Sequence, residues 1–365
     1  MSIYAKAEHG IVCSVDEGAE KYFGWPSVAK LSDGTIVAGA SGLRRAHVCP
    51  WGKSTVCYSK DGGKTFTAPE VVHDDLIDNR DLGVIALGGQ SYAITWFSLD
   101  IRTYGEKLFK WLPEKDGKDA FDYMATWNDY TVKALQGSWT KITNDGGKTW
   151  TRPIRVPVSA PHGFTKMADG TLGYLGKGYR EDIGGPGGRV QYCVSRDGGF
   201  TWQIMGTVPM IEGDTNEQYH EPHVIDLKDG TLMGVIRFHY PKEQGGNLDT
   251  CLTFSKDGGC TWTVPEHMKV EGAPAQLMRH SSGAIIMTYG YRHPGYGQRA
   301  KVTYDEGKTW SDEIIIRDDG DTGDLGYPCS IELDDGKIYT VYYQAKHGRE
   351  NTCIMWSKWE LPEIK

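Results

Sequence analysis

Five copies of one eight-residue pattern constrain this chain more than any other feature. The pattern S/T-x-D-x-G-x-T-W/F occupies residues 59–66, 143–150, 195–202, 255–262 and 303–310, each time after a run of apolar or β-branched residues such as 190–194 or 251–254. Its chemistry is that of a hairpin turn: glycine takes the positive-φ positions, the aspartate oxygens accept turn amide protons, and the aromatic returns to the packed face. Five copies describe one strand-turn-strand unit used repeatedly.

A second repeat gives the number of units. Six segments read as strand, tight turn and strand: 27–41 around Asp33-Gly34, 82–98 around Gly88-Gly89, 163–177 around Asp169-Gly170, 222–238 around Asp229-Gly230, 275–291 around Ser282-Gly283, and 330–344 around Asp335-Gly336. Repeats of roughly 40–55 residues, each a four-stranded sheet, are the mark of propeller blades. The sequence therefore predicts an all-β, six-bladed β-propeller forming a single domain over residues 1–365. Residues 1–26 are expected to hold the strand that closes the ring. The sixth boxed turn is missing, and 354–357 reads as the outer strand that completes a blade. Blade two carries an insertion, about 99–137, whose aromatic-rich composition and helix-like stretches predict a partly helical excursion serving as a lid or an oligomer contact.

Charged residues make up 24% of the chain and the formal net charge is -8, which argues against a general nucleic-acid or anionic-membrane surface. Residues 1–9 lack an apolar signal core and no stretch is long enough to span a bilayer. A soluble protein, cytoplasmic rather than secreted, is the expectation, with the oligomeric state left open. Eight scattered cysteines without CxxC pairs read as reduced core thiols. No metal-ligand spacing appears, so no metal and no cofactor are expected.

Propeller geometry says which residues meet. The start of each inner strand and the end of the strand returning from the tight turn converge on one mouth, while the boxed turns lie at the other end. That mouth collects Trp25, Arg44, Arg45 and His47 from blade one, Arg80 and Asp81 from blade two, and His162 from blade three. Blade four adds Glu221, His223 and Arg237, blade five Arg292 with Arg299 beyond it, and blade six Tyr327. Taken singly, each is a plausible solvated side chain; taken as a set, they favour a sugar site.

The boxed turn resembles the Asp-box, or BNR, repeat of the sialidase-like β-propellers, a structural motif that argues for fold more than for reaction. The resemblance extends to part of the site. Glu221-Pro222-His223-Val224-Ile225, followed by Val235-Ile236-Arg237, is similar to the family's glutamate and returning-strand arginine, and Gly326-Tyr327-Pro328-Cys329 to its tyrosine nucleophile. Arg292 and Arg299 both stand where another arginine of the family's carboxylate-binding triad is expected. Two departures stand out. Phe23-Gly24-Trp25-Pro26 has glycine where the family's F-R-I-P motif has its first arginine, and the loop after the second strand of blade one offers His47 but no acid/base carboxylate. The resemblance thus implies a Tyr327/Glu221 nucleophile pair with His47 as acid/base. The arginines, drawn from Arg237, Arg292, Arg299, Arg44, Arg45 and Arg80, would hold an anionic group, with Asp81, His162, His223 and Trp25 as further substrate contacts.

Three activities fit these residues: a retaining glycoside hydrolase acting on a terminal, acidic sugar of a carbohydrate substrate; a polysaccharide lyase on uronate-containing chains that uses His47 or His162 with Tyr327; and a non-catalytic glycan-binding propeller.

Overall fold

A computed structural model of the chain describes residues 2–363. Tight turns such as Asp33-Gly34, where Gly34 has a φ of 86° and the Asp33 carboxylate accepts the Thr35 amide at 2.9 Å, fold each inner repeat back on itself. The resulting strands form six sheets, four of them four-stranded and two five-stranded, ordered as the blades of a propeller. Blade one, for example, runs Tyr22–Lys30, Ile36–Arg44, Lys53–Ser59 and Glu70–His73 from the axis outward. Because neighbouring blades cover both faces of each sheet, inner strands read as continuous apolar runs; every residue of Ile338–Ala345 is buried.

The boxed turns join the third and fourth strands of blades one to five and act as clasps between blades. In the first, the Ser59 hydroxyl donates to Asp61 at 2.8 Å and accepts the Gly63 amide at 2.9 Å, while Asp61 accepts the amides of Lys64 and Thr65 and the Thr65 hydroxyl. Gly63, at a φ of 87°, lies so close to Tyr339 of blade six that a Cβ would fall 2.5 Å from its ring, and the Tyr339 hydroxyl donates to the Gly63 carbonyl at 2.8 Å. Only glycine meets both demands.

These hydrogen bonds hold the box carboxylates below the usual range, Asp145, Asp197 and Asp305 to about 2, led in each case by the threonine hydroxyl four residues on. A depressed folded-state pKa stabilises above the unfolded value near 4 and is lost as pH falls toward the folded one. We expect Asp145→Ala to lower the Tm at pH 7, with the gap to wild type narrowing steadily as melts are repeated from pH 4 down to pH 2. A gap independent of pH would mean that the carboxylate charge is irrelevant to the turn.

Blade six corrects one sequence expectation and explains another. Residues 354–357 are not outermost: they belong to Thr352–Trp359, the third strand, and the fourth is Ala7–Cys13 from the other end of the chain. The third and fourth strands of this blade are therefore 339 residues apart, Cys13 to Thr352, and no turn joins them. That is why a sixth box is absent. Ile3–Tyr4 continues outward, pairing in parallel with Ile314–Arg317 as a fifth strand on blade five.

The insertion is more helical than its composition suggests, with a 3-10 helix at Ile101–Lys110 preceding helices Glu114–Met124 and Asp129–Leu135. Asn128 caps the last by accepting the amides of Tyr130 and Thr131. Leu108, Met124, Trp127 and Val132 pack with Phe97 and Leu99 at the mouth end of blade two. All eight cysteines are unpaired and only Cys260 is exposed. Among the described residues no helix is long and apolar enough to cross a membrane.

Candidate active site

The innermost strand of four blades breaks register where it approaches the mouth. The pairing slips between Gly24 and Ser27, Arg80 and Gly83, His220 and His223, and Gly326 and Cys329. Within each slip one non-glycine residue takes the left-handed conformation: Trp25 at a φ of 52°, Asp81 at 56°, Glu221 at 44° and Tyr327 at 52°. L-residues adopt this region at a cost, and bulges of this kind re-aim side chains. Here they present four side chains to one cavity.

That cavity has a volume of about 340 Å³ and is lined by Trp25, His47, Arg80, Asp81, Glu221, Arg237, Arg292 and Tyr327, with Phe97, Leu99, Tyr104, Ile183, Gly185 and Pro186 completing the wall. The Tyr327 hydroxyl donates to Glu221 and lies 3.2 Å from Arg237 Nη1, which also reaches the second Glu221 oxygen at 2.5 Å. Glu221 therefore engages tyrosine and arginine at once. Burial disfavours its charge, but Arg237 and the tyrosine hydrogen bond outweigh that and hold its pKa down to about 2. Burial and the Glu221 charge push Tyr327 well above the ordinary phenol value. The proton between the pair rests on the tyrosine.

Asp81 has the opposite environment. Burial, then the Glu221 charge, raise it to about 7 against the pull of Arg80. A carboxyl at that value can give and take a proton near neutrality.

Three guanidinium groups share the cavity. Arg80 stacks 4.0 Å over the Trp25 ring and donates to the His47 carbonyl and to Asp78. Arg292 leaves Nε and Nη2 without a hydrogen-bond partner, and Arg237 leaves Nε so. His47 meets Asp324 and the Tyr22 hydroxyl through Nδ1, at 3.0 and 2.9 Å, and its ring stacks on Trp111 of the insertion at 4.7 Å. Burial lowers its pKa despite the Asp324 contact.

The remaining sequence candidates lie elsewhere. Arg44, with a fully buried side chain, forms a two-pronged pair with Asp78 at 2.6 and 2.9 Å, so it steadies the carboxylate that orients Arg80. Arg45 covers Trp51 at 3.8 Å and reaches Asp116 and Asp119, fastening the blade-one loop to the insertion. Arg299 donates to the Gly295 and Arg317 carbonyls and pairs with Glu313. His162 and His223 line a second cavity at the far end of the axis. His223 sits just past the blade-four bulge, and His162 lies in the turn between Val158–Ser159 and Thr165–Lys166 of blade three. Tyr104, in the insertion, and Asp324, behind His47, are site residues that sequence reasoning missed.

The BNR repeat-like domain model matches residues 123–340. The chain belongs to that family. Within it, this BNR repeat-like chain is a sialidase-like six-bladed propeller. It is 26% identical over 225 residues to a sialidase of Bacteroides fragilis, covering 55% of this chain and 38% of that one. It is 22% identical over 293 residues to a sialidase of Paraclostridium sordellii, covering 80% and 57% respectively. The chain thus matches between a third and three fifths of the length of these two relatives. A crystal structure of a protein of unknown function from Dyadobacter fermentans superposes with a TM-score of 0.75 at 22% identity, covering 97% of this chain and 98% of that one. The likeness to the Dyadobacter protein is one of fold.

Proposed function

We propose that this protein is a retaining glycoside hydrolase that removes a terminal acidic sugar from a glycan. The observation that carries the reading is the Tyr327–Glu221 hydrogen bond, set on facing bulges in a cavity that also holds a carboxyl raised to about 7 and three guanidinium groups. The names of the sialidase relatives point the same way.

In this reading the sugar carboxylate lies among Arg80, Arg237 and Arg292. Arg80, crossing from blade two over Trp25, occupies the role of the arginine that Gly24 lacks. Tyr327 attacks the anomeric carbon as its proton passes to Glu221. A phenol suits a centre flanked by a carboxylate, since it approaches without the charge repulsion a carboxylate nucleophile would meet. Asp81, protonated near neutrality, donates to the leaving oxygen and then deprotonates the incoming water. We therefore move the acid/base role from His47 to Asp81, because His47 is tied through Nδ1 to Asp324 and walled by aromatic rings. His47, with Tyr104 and Trp111, is placed on the aglycone side.

The test is a screen of the purified protein against sialosides and uronosides, following the anomeric configuration of the product by NMR. Release of sugar with retained configuration is expected. An unsaturated uronate product would identify a lyase instead, and binding without turnover a lectin-like propeller.

The arginines make a separate prediction. Arg292→Ala should weaken binding of the acidic sugar by about 1.5–3 kcal/mol per charge-assisted hydrogen bond lost. The effect should appear in KM and vanish for a substrate analogue lacking the carboxylate. Equal losses for both substrates would remove Arg292 from anion recognition.

A further inference from the structure

A second cavity exceeds the candidate active site in volume. At the opposite end of the propeller axis, beneath the bulges, all six innermost strands enclose a volume of about 580 Å³. Its walls are apolar, from Val84, Phe164, Ile225, Leu277 and Ile331, but its two ends are not.

At the inner end His162 is 3% exposed, and neither of its ring nitrogens has a hydrogen-bond partner. Its ring meets that of His223 edge-on with centroids 6.0 Å apart. A buried polar group without a partner is costly, and a ring that lines the cavity with its nitrogens unpaired points to a ligand polar group that pairs with one of them. Burial lowers His162 to about 4, so the ring is neutral at physiological pH and offers one donor and one acceptor.

At the outer end four cations, Lys30, Lys166, Lys228 and Arg279, face two carboxylates, Asp226 and Glu332. Most are already engaged. Lys30 pairs with Asp334, Lys166 donates to the Leu87 carbonyl, Asp226 accepts the amides of Lys228 and Ala168, and Glu332 accepts from Ser281. Arg279 donates through Nε to the Asp226 carbonyl at 3.4 Å but keeps a buried Nη2 without a partner, and among the described residues Lys228 forms no ion pair. With Asp334 on Lys30 and Asp229 close to Arg279 the rim is near neutral in sum, and its distinguishing feature is the unpartnered Arg279 guanidinium edge.

We propose that this axial cavity is a second ligand site, distinct from the candidate active site. It takes an apolar-bodied carboxylate with a hydroxyl at its far end. The carboxylate meets Arg279 and Lys228, the body fills the apolar barrel of inner strands, and the hydroxyl forms one hydrogen bond with a ring nitrogen of His162.

Calorimetric titration of the full chain with 4-hydroxycinnamate and with cinnamate tests this. The hydroxylated probe should bind with a Kd below about 1 mM and about fivefold more tightly than cinnamate, the difference that one hydrogen bond supplies. Arg279→Ala should weaken both probes by about tenfold or more, and His162→Phe should erase the preference for the hydroxyl. Lys228→Gln, at the exposed rim, provides the same carboxylate test should Arg279→Ala fail to fold. Glu221→Gln should leave binding unchanged. Absence of binding up to about 10 mM, affinity indifferent to the rim substitutions, or loss of binding in Glu221→Gln would each overturn the assignment.

Discussion

Tyr327→Phe is expected to leave substrate binding near wild type and to reduce kcat by about 10³-fold or more, because the substitution removes the nucleophilic oxygen and nothing else. The ring is only 4% exposed and sits against Trp25 and Tyr343, so its packing survives the change. Glu221→Gln should be comparably damaging, since an amide cannot take the phenol proton. Groups acting as one unit do not lose activity additively, so the double variant should be little worse than either single one. The measurement is kcat and KM for all three on the substrate found by the screen. Wild-type turnover in Tyr327→Phe would end the proposed mechanism, and a double variant worse by the product of the single losses would mean that the two residues act separately.

Asp81→Asn carries the second large effect, a loss in kcat of about 10²–10⁴-fold on a substrate with a poor leaving group. With a leaving group that departs unprotonated, most of the first-step loss should disappear. The pH profile gives an independent check. A proton donor raised to about 7 is competent below that value and lost above it, so kcat/KM should fall as pH rises through 7. Glu221, held to about 2, stays ionised throughout, and its limb lies at acidities where the boxed turns themselves fail. Stability carries a matching sign. A carboxyl raised in the folded state keeps its proton longer than in the unfolded chain, so its contribution declines between pH 4 and pH 7. Asp81→Asn should therefore melt higher than wild type at pH 8 and show little difference at pH 4. An unchanged alkaline limb, with no gain in Tm at pH 8, would assign the proton to another group, with His47 the next to examine.

The fold was legible because its signals are local. A boxed turn needs only its serine or threonine, aspartate, glycine and aromatic, all within eight residues, and six tight turns count six blades. The blade-six arrangement was harder to read, since no short-range pattern announces that Ala7–Cys13 will pair with Thr352–Trp359. At the site, register was partly visible: Trp25, Glu221 and Tyr327 each stand eight residues before the aspartate of their tight turn, and Asp81 seven before Gly88. That spacing marks the mouth end of the inner strand and was the signal for Asp81's place at the cavity. Its role was not legible, because a raised pKa comes from burial beside Glu221, a residue 140 positions away in the chain. Arg44 and Arg80 illustrate the same limit. Both are arginines at the mouth of adjoining blades, and only the placement of Asp78 decides that one is buried as a brace and the other turned into the cavity.

The closure of blade six has a consequence for the order in which the site comes into being. Tyr327 lies in the innermost strand of a sheet whose outer two strands are Thr352–Trp359 and Ala7–Cys13, so the blade that carries the proposed nucleophile closes only after strands from both ends of the ring have met. Blades one to five can pair strands over tens of residues; blade six must bring Ala7–Cys13 back across more than three hundred, a late and entropically expensive contact. In the proposed mechanism the site is therefore complete only after that contact forms, because until blade six closes Glu221 and Asp81 have no finished seat for Tyr327 beside them. Continuous refolding assays should show activity appearing with the slowest phase, after most of the strand content has formed.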